Sequence, residues 1–161
     1  MLKTRLTGVS DAEELKKLND LFNVNDSSNV ETIKKSLEEN SQEIVCVAVC
    51  EDEQKIVGFC CGQVVRSMCY LILYGDITEF FVIEKYRKQE ICKQLINQME
   101  REFALRGVNH LHHIIGKDNL PLRALFRELG YTDTTESSYG SPSISIFEKD
   151  TVFEEGGANG L

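Results

Sequence analysis

Hydrophobic positions along the chain follow two different periods. Alternating or continuously apolar runs, typical of strands, occupy residues 3–9, 43–50, 55–65, 70–83, 110–115 and 143–148. Apolar residues at helical spacing occupy residues 10–22, 28–40, 89–106 and 120–129. Capping boxes at Ser10–Glu13 and Ser28–Glu31 open the first two helices, and Asn119 is the cap expected for the last. The pattern predicts about six to seven strands and about four helices.

The order of these elements differs from that of a doubly wound α/β sheet, in which strands and helices alternate throughout. Residues 43–83 form consecutive strands joined by short turns, which predicts an antiparallel set. One strand–helix–strand crossover follows near residues 77–115. We therefore expect an α/β (α+β) domain over residues 1–149, with a mixed, mostly antiparallel central sheet, and a loose tail over residues 150–161. Gly58 and Gly62 mark close backbone approaches or bulges.

The composition is that of a folded protein that stays in the cytoplasm. Hydrophobic residues make up 42% and charged residues 27%, and no apolar run approaches the roughly 20 residues of a membrane-spanning helix. The chain begins on polar and charged residues, which argues against a secretory segment. Its six cysteines lie in apolar runs without a C-x-x-C pair, which indicates reduced thiols rather than disulfides or a zinc site.

The net charge is −8, without a basic stripe. Nucleic-acid partners are disfavoured, because neutralising phosphates requires clustered Lys and Arg. An acidic surface tolerates cationic partners such as amines, although it also serves solubility alone. The acidic residues near the first two helices are candidates for lining an amine site, with a solvated helix face as the alternative; they are Asp26, Glu31, Glu38 and Glu39.

A strand, a short basic turn and a long helix follow one another over residues 77–95. The first backbone N–H groups of a helix are unpaired and its dipole is positive there, so a helix start of this kind binds phosphates. Arg87, Lys88 and Lys93 add positive charge around it. From these residues alone, an ordinary solvated helix start explains the stretch as well as a phosphate site does.

A second motif, about thirty residues further along, makes the stretch specific. It reads Asn119-Leu-Pro-Leu-Arg-Ala-Leu-Phe-Arg-Glu-Leu-Gly-Tyr131, an Asn followed by a helix that ends in Gly and an aromatic residue. Together with Arg87-Lys-Gln-Glu-Ile-Cys92 it resembles the GNAT superfamily of acyl-CoA-dependent N-acyltransferases, in element order over roughly residues 3–149. The resemblance implies a GNAT-like fold, acetyl-CoA as co-substrate, no metal, and direct transfer of the acetyl group to a primary amine of a small acceptor.

The resemblance also implies where acetyl-CoA binds. Pantetheine would lie along the strand, the N–H of Phe81 or Val82 would polarise the thioester carbonyl, and the pyrophosphate would lie at the helix start. The residues that this assigns to acetyl-CoA are Phe81, Val82, Arg87, Lys88, Gln89, Glu90, Ile91, Cys92, Lys93 and Asn119.

The chain departs from the family pattern in two places. Glu90 replaces the first glycine of the phosphate-binding turn and puts a negative charge beside the expected diphosphate, so Glu90→Gly is expected to tighten acetyl-CoA binding several-fold, and less at high salt. Cys92 replaces the second small residue of this turn, and its side chain is compact enough to be tolerated there. Phe126 stands where many members carry the tyrosine that protonates the leaving CoA thiolate. Tyr131 is the candidate replacement acid, with Tyr139 or a water as alternatives.

Glu79 is the candidate general base. Strand alternation places it on one face with Ile77, Phe81 and Ile83, and a carboxylate among such neighbours is either paired or functional. An alkylammonium has a pKa of about 10 and needs a base to become nucleophilic at neutral pH. A structural ion pair, or a solvent-facing position at the end of the sheet, is the alternative for Glu79.

Other classes of function and ligand remain to be weighed. Some antibiotic-modifying members of the superfamily use acidic pockets for polycationic aminoglycosides, which adds that class of acceptor here. The alternative to an enzyme is a GNAT-fold acyl-CoA-binding protein with lost or weak catalysis, as Glu90 and Phe126 suggest. An unrelated nucleotide-binding α/β domain conflicts with the strand order. His110 and His112 share a strand face without a third ligand, so no metal is expected. The sequence leaves the oligomeric state open, a homodimer included.

Overall fold

Seven strands and four helices make up the computed structural model, which describes residues 1–25, 27–69, 71–87, 89–135 and 143–151. The strands are β1 (Leu2–Leu6), β2 (Glu43–Cys50), β3 (Lys55–Val65), β4 (Tyr74–Val82), β5 (His110–Gly116), β6 (Thr132–Asp133) and β7 (Ile144–Asp150). The helices are α1 (Ala12–Phe22), α2 (Val30–Glu39), α3 (Gln89–Leu105) and α4 (Leu120–Glu128). Short 3₁₀ turns lie at Val9–Asp11 and Glu84–Tyr86.

The strands form one mixed sheet in the order β1-β2-β3-β4-β5-β7-β6. Neighbouring strands are antiparallel except β4 and β5, which are parallel and are joined through α3. The mostly antiparallel mixed sheet and the crossover near residues 77–115 are therefore confirmed.

Each face of the sheet has its own core. The larger core lies under α3 and α4, and its members include Ile77, Leu95, Met99, Phe103, Leu111 and Phe126. The smaller core lies under α1 and α2, and its members are Leu15, Leu18, Val47, Ile56 and Phe59. No helix in the part of the chain that the structure describes is long and apolar enough to cross a membrane.

Two glycines make room for the largest side chain of α3. A Cβ atom on Gly62 would lie 2.6 Å from the ring of Phe103, and a Cβ atom on Gly75 would lie 2.8 Å from it, both closer than real Cβ atoms approach other atoms. Phe103 itself is 0% exposed. The close approach predicted at Gly62 is confirmed, and the partner is the Phe103 ring that packs across β3 and β4.

A bulge in β4 reverses the faces of its residues. Ile77 pairs with Gly62 and Glu79 pairs with Cys61, so Thr78 is the extra residue. Ile77 lies in the core under α3, whereas Glu79 lies on the face covered by α1 and α2. The prediction that Ile77 and Glu79 share a face is wrong, because one additional residue inverts the alternation of side chains.

Strands β4 and β5 pair along only the first part of their length. The ladder joins residues 74–77 to residues 110–113. Beyond Ile77 and His113, the described residues of the two strands form no further ladder with each other, although β4 continues to Val82 and β5 to Gly116. The two parallel strands therefore separate and leave a gap at their carboxyl ends.

The first two helices begin differently from the predicted capping boxes. Asp11 precedes α1 without a side-chain hydrogen bond to its first turn, and its carboxylate accepts instead from the N–H of Gly8 at 2.8 Å. Asn29, not Ser28, caps α2, and its Oδ1 accepts from the N–H of Thr32 at 2.9 Å. Asp, Asn and Ser all accept such bonds, so where they are adjacent the sequence alone does not choose between them.

The C-terminal strand extends beyond the expected domain end at residue 149. Strand β7 includes Asp150, and the N–H of Thr151 donates to the carbonyl of Asn109 at 2.8 Å. Residues 152–161 of the expected tail lie outside the described residues.

An ion pair joins β4 to β5 beside the gap and gives a pH-dependent contribution to stability. His112 Nδ1 lies 3.0 Å from Asp76 Oδ1, and this hydrogen bond raises the pKa of His112. A raised pKa stabilises the fold at pH values below the ordinary pKa of histidine, and the contribution disappears as the pH rises through the raised value. We expect His112→Asn to lower the free energy of unfolding by about 1 kcal/mol at about pH 5.5 and by less at about pH 8.5. Urea unfolding of both proteins at the two pH values checks this, and an equal difference at both would contradict it.

Candidate active site

The side of β4 that faces the gap carries backbone groups that do not belong to the ladder with β3. The N–H of Ile83 donates to the carbonyl of Val57 on β3 at 2.9 Å. By antiparallel alternation, Phe81 also directs its N–H toward β3, and Val82 directs its N–H and carbonyl toward the gap. Arg87 Nε donates to the carbonyl oxygen of Val82 at 2.8 Å, on that side. Of the two N–H groups predicted to polarise a carbonyl, that of Val82 faces the gap.

A cavity of about 640 Å³ opens between β4 and α4, and we name it the β4–α4 cavity. It is lined by Phe22, Phe80, Phe81, Val82, Arg87, Cys92, Asn119, Pro121, Leu122, Ala124 and Leu125. Its volume falls within the range of about 300–1,000 Å³ that is typical of sites for cofactors and small molecules. Five of the predicted cofactor residues therefore lie together here, namely Phe81, Val82, Arg87, Cys92 and Asn119.

The turn that leads from β4 into α3 is anchored in the core. Tyr86 is 9% exposed, and its hydroxyl donates to Glu53 Oε1 at 2.5 Å. Helix α3 begins at Gln89, so the unpaired N–H groups of its first turn follow directly after Arg87. The side chain of Ile91 is 2% exposed and belongs to the core, which leaves only its backbone for a ligand. Lys88 lies outside the described residues.

Two charged residues of α3 are engaged by neighbours on the protein. Lys93 Nζ lies 2.8 Å from Glu128 Oε2, a pair that joins α3 to α4. Glu90 is exposed, its Oε1 accepts a hydrogen bond from Gln94 Nε2 at 3.0 Å, and it does not line the β4–α4 cavity. The expectation that Glu90 faces a diphosphate has no support in this geometry, because its carboxylate is held by a partner one turn along the helix.

A second cavity, of about 300 Å³, lies on the other face of the sheet under α1 and α2, and we name it the α1–α2 cavity. Its lining includes Asn19, Phe22, Ser36, Glu43, Cys61 and Glu79. No Lys, Arg or His is among the described residues that line it, so its only charged groups there are the two carboxylates.

Glu79 and Glu43 are both half-buried in the α1–α2 cavity. The hydroxyl of Thr78 donates to Glu79 Oε2. Ser36 Oγ donates to Glu43 Oε2 at 2.6 Å. Within the described ranges, neither carboxylate forms an ion pair. The structural ion pair considered for Glu79 is therefore not found among these residues, and an unpaired carboxylate in a cavity is placed to receive a cation.

Cys61 lies between these carboxylates and is not a candidate nucleophile. Burial raises the pKa of its thiol well above the ordinary value, and the negative charge of Glu79 raises it further. The reactive form of cysteine is the thiolate, which this environment disfavours.

Phe22, the last residue of α1, lines both cavities. Its ring centroid lies 5.6 Å from that of Phe59 and 5.8 Å from that of Phe81. The ring is 41% exposed and forms part of the wall of each cavity. The two cavities therefore come close together at Phe22, with Glu79 in the wall of one and Val82 in the wall of the other.

The aromatic residues of α4 and its following turn lie in the core. Phe126 is 0% exposed, and its ring is stacked on His113 at 4.7 Å and packs edge-on against Tyr131 at 4.7 Å. Tyr131 is 3% exposed and lines neither cavity, and burial raises the pKa of its hydroxyl far above the ordinary value. A phenol with so high a pKa is a weak acid, so the structure does not bring Tyr131 into an acid's position. Tyr139 lies outside the described residues.

Three of the four acidic residues predicted near the early helices are described, and none of these three lines the α1–α2 cavity. Glu31 pairs with Lys34 and Glu39 with Lys35 on exposed helix faces, and Glu38 is exposed as well. Asp26 lies outside the described residues. The alternative considered for them, a solvated face, is what the described residues form.

Each of the predicted histidines has a carboxylate partner. His110 pairs with Asp150 at 2.6 Å, and His112 pairs with Asp76. In the part of the chain that the structure describes, no group of three or more His, Cys, Asp or Glu side chains is placed to hold a metal ion.

Sequence reasoning missed two residues of the site. Glu43 opens β2, and alternation with Val45 and Val47 places it on the α1–α2 face, so the strand period alone was enough to find it. Phe22 reads in the sequence as an apolar position of an amphipathic helix. Nothing local distinguishes it from a core residue, because its role depends on where α1 ends relative to β4.

The chain is similar to known proteins in sequence and in fold. The family model described as the acetyltransferase (GNAT) family matches residues 12–131. A sequence comparison with curated proteins gives no match at the level required.

Several solved structures share the fold. An acetyltransferase of the GNAT family from Streptococcus pneumoniae superposes with a TM-score of 0.74 and 17% identity, covering 94% of this chain and 100% of that one. Arabidopsis thaliana NAA60 in complex with acetyl-CoA gives 0.69 and 16%, covering 93% and 98%. An aminoglycoside acetyltransferase from an uncultured soil metagenomic sample, in complex with sisomicin, gives 0.68 and 20%, covering 79% and 86%.

Proposed function

Because the chain belongs to the acetyltransferase (GNAT) family, whose model spans residues 12–131 of it, we propose that it transfers an acetyl group from acetyl-CoA to a primary amine of a small acceptor. The observation that carries the proposal is the meeting of two cavities at β4. The β4–α4 cavity takes the donor, and the α1–α2 cavity takes the amine. Phe22 lines both, so a thioester and an amine can meet beside it without crossing the sheet's hydrogen-bonded ladder.

The donor side offers groups of the chemistry that acetyl-CoA requires. In this proposal the N–H of Val82, which points to the gap, binds the thioester carbonyl, and the mostly apolar walls of the cavity hold pantetheine. The pyrophosphate is assigned to the first turn of α3, where Gln89, Glu90, Ile91 and Cys92 supply backbone N–H groups and Arg87 supplies charge. The compact side chain of Cys92 lines this cavity without filling it. Lys88, Lys93 and Asn119 complete the assignment proposed for the donor.

In the proposed reaction, Glu79 acts on the incoming amine. Its carboxylate binds the ammonium and takes one proton from it, directly or through a water, and the neutral nitrogen then attacks the thioester carbon. The N–H of Val82 stabilises the developing oxyanion. The departing thiolate takes a proton from solvent in the open cavity, because Phe126 has no hydroxyl and Tyr131 is enclosed in the core.

Exchange of backbone amides tests the donor site. We expect acetyl-CoA to slow hydrogen exchange over residues 80–93, where it covers the free side of β4 and the start of α3. Helix α2 (Val30–Glu39), which lines the α1–α2 cavity and not the donor cavity, serves as the internal control and should change less. Protection confined to the control segment would contradict the assignment.

Glu90 offers a second test of the same site. Because its carboxylate is held by Gln94, we expect Glu90→Gln to change the affinity for acetyl-CoA less than about twofold at low salt. Glu90→Gly would add only the cost of glycine near a helix end. Calorimetric titration of the variants at two ionic strengths measures this. A several-fold gain that shrinks with salt would mean that Glu90 does face the diphosphate.

Initial-rate kinetics test the transfer itself. A direct attack requires both substrates to be bound together, so double-reciprocal plots at several amine concentrations should intersect. Parallel lines would indicate an acetyl-enzyme intermediate and would contradict the proposal.

The alternative is a protein that binds acyl-CoA with lost or weak catalysis, and Phe126 is the observation in its favour. Binding of acetyl-CoA without transfer of its acetyl group to any amine, and hence without release of thiol, would favour this alternative.

An aminoglycoside-like polycation stays among the acceptors to be tested, since a structural neighbour is described as an aminoglycoside acetyltransferase. Reduced, buried cysteines at positions 46, 50, 60 and 92 fit a cytoplasmic location.

A further inference from the structure

The α1–α2 cavity holds two carboxylates in different surroundings. Glu79 is contacted by the hydroxyl of Thr78. Glu43 is oriented by two neutral donors, Ser36 Oγ at 2.6 Å and Gln63 Nε2 at 3.4 Å. These bonds fix one carboxylate side chain on each side of the cavity and leave acceptor positions on both unfilled, since an ionised carboxylate accepts about four hydrogen bonds.

The strand register sets the distance between the two carboxylates. Val45, Cys61 and Glu79 lie in one row across β2, β3 and β4, and Glu43 lies two residues from Val45 along β2. Strands about 4.8 Å apart, with a rise of about 3.4 Å per residue, put the Cα atoms of Glu43 and Glu79 about 12 Å apart. Side chains on one face of a sheet stand roughly parallel, so the two carboxylates lie about as far apart as their Cα atoms. With each ammonium about 2.8 Å from a carboxylate oxygen, about 6 Å is left between the two nitrogens, the span of a chain of about four to five carbon atoms.

The surface between the carboxylates is apolar and uncharged. Val45, Cys61 and Phe59 lie on it, and the raised pKa of Cys61 keeps its thiol neutral. A chain of methylene groups gains from contact with such a surface, at roughly 25 cal/mol per Å² of apolar area removed from water. The neutral polar side chains of the cavity lie on the side of α1 and α2, at Asn19, Asn23, Ser28, Thr32 and Ser36, so the sheet side offers the apolar contact.

The cavity is also small. Its volume of about 300 Å³ is at the lower end of the range for ligand sites. A linear molecule with one charge at each end fills it, whereas a multi-ring polycation would project beyond α1 and α2.

We propose that the acceptor is a linear α,ω-diamine, with its distal ammonium bound by Glu43, its methylene chain over Cys61, and its reacting amine at Glu79. This rests on the proposed transfer of an acetyl group at the same site. A carboxylate at the distal end would face Glu43 with like charge, so ω-amino acids are excluded.

The transfer is balanced as follows. The bound ammonium first gives one proton to Glu79, which passes it to solvent. The neutral amine then forms a bond to the thioester carbon, the C–S bond breaks, and the thiolate leaves with the electron pair. A second proton leaves the nitrogen to solvent, and the thiolate takes one proton from solvent, so one proton is released for each acetyl group transferred. The distal ammonium remains protonated throughout. The product carries one amide and one ammonium. If it bound in the reversed orientation for a second transfer, its neutral amide would face Glu43 in place of an ammonium, so a second transfer is disfavoured.

Pentane-1,5-diamine, pentylamine and 5-aminopentanoate form the matched set of compounds that tests this. We expect the wild-type protein to favour the diamine over pentylamine by at least about tenfold in kcat/KM, and to act poorly on the amino acid. The product should stop at the monoacetylated diamine. Glu43→Gln should remove most of the preference for the diamine. Glu38→Gln, which removes the same charge from an exposed face of α2, should keep it.

Calorimetric binding of the same compounds separates this proposal from the transfer reaction. If the diamine binds at least about tenfold more tightly than pentylamine, and Glu43→Gln removes the difference, but no amine is acetylated, then the diamine site stands and the proposed transfer fails. If amines are acetylated without preference for the diamine, or the preference survives Glu43→Gln, then the transfer stands and the diamine proposal is overturned. Absence of diamine binding overturns it as well.

Discussion

Replacing Glu79 by glutamine is expected to lower kcat by about 10²–10⁴-fold, the usual cost of removing a general base. Glutamine keeps the size of the side chain and its bond with Thr78, but it cannot accept the proton of the attacking amine. The affinity for acetyl-CoA should stay unchanged, because Glu79 lies in the α1–α2 cavity and not in the β4–α4 cavity. Initial rates from pH 6 to pH 9, with calorimetric titration of the donor, measure both quantities.

Glu84→Gln is a matched control for this change. Glu84 is exposed in the turn after β4 and lines neither cavity, so its replacement should leave kcat close to the wild-type value. If Glu79→Gln turns over as fast as the control across the pH range, Glu79 is structural and the catalytic assignment fails.

Phe103→Ala is expected to destabilise the fold by about 3–5 kcal/mol, the largest loss that we predict for a single core residue. The ring is 0% exposed and fills the space that Gly62 and Gly75 leave over β3 and β4. Removing it opens a cavity between rigid strands, which cannot move together without breaking their ladders. Urea unfolding at fixed pH gives the change in the free energy of unfolding.

Gly75→Ala tests the same packing from the opposite side. Its Cβ would lie 2.8 Å from the Phe103 ring, so overpacking should cost about 1–3 kcal/mol in the wild-type background. In a Phe103→Leu background the same change should cost less, because the smaller side chain leaves room. Leu105→Ala, at a residue 80% exposed on the same helix, should change stability by less than about 0.5 kcal/mol. Additive effects at Gly75 and Phe103 would contradict the packing described.

The fold could be predicted from the sequence because its local patterns are strong and the order of its elements is distinctive. The crossover between β4 and β5 was predicted from three features, namely the run of three adjoining strands, the helical period of α3, and Gly107 after the end of α3. The family resemblance was confirmed by the match over residues 12–131. The cap of α2 lies one residue later than predicted, at Asn29, because adjacent Ser and Asn residues are equivalent as caps.

The site was harder to predict, since it depends on register and on elements distant in sequence. The prediction that Glu79 shares a face with Ile77 was wrong, because the bulge at Thr78 leaves no signal in the pattern of side chains along the sequence. The surroundings of Tyr131 depend on how α4 packs against β5 and β7, which a single sequence does not state. Glu43, by contrast, could have been found from the alternation of β2 alone, which puts it on the same face as Val45 and Val47.

The most direct measurement follows both products of the proposed reaction in one sample. Wild-type protein, acetyl-CoA and a panel of amines are incubated, free CoA thiol is quantified, and the amine products are identified by mass spectrometry. The account predicts thiol release only when an amine is present, with one N-acetylated amine formed for each thiol released, and loss of both in Glu79→Gln. Binding of acetyl-CoA without release of thiol above the protein-free rate, for every amine tested, would contradict it.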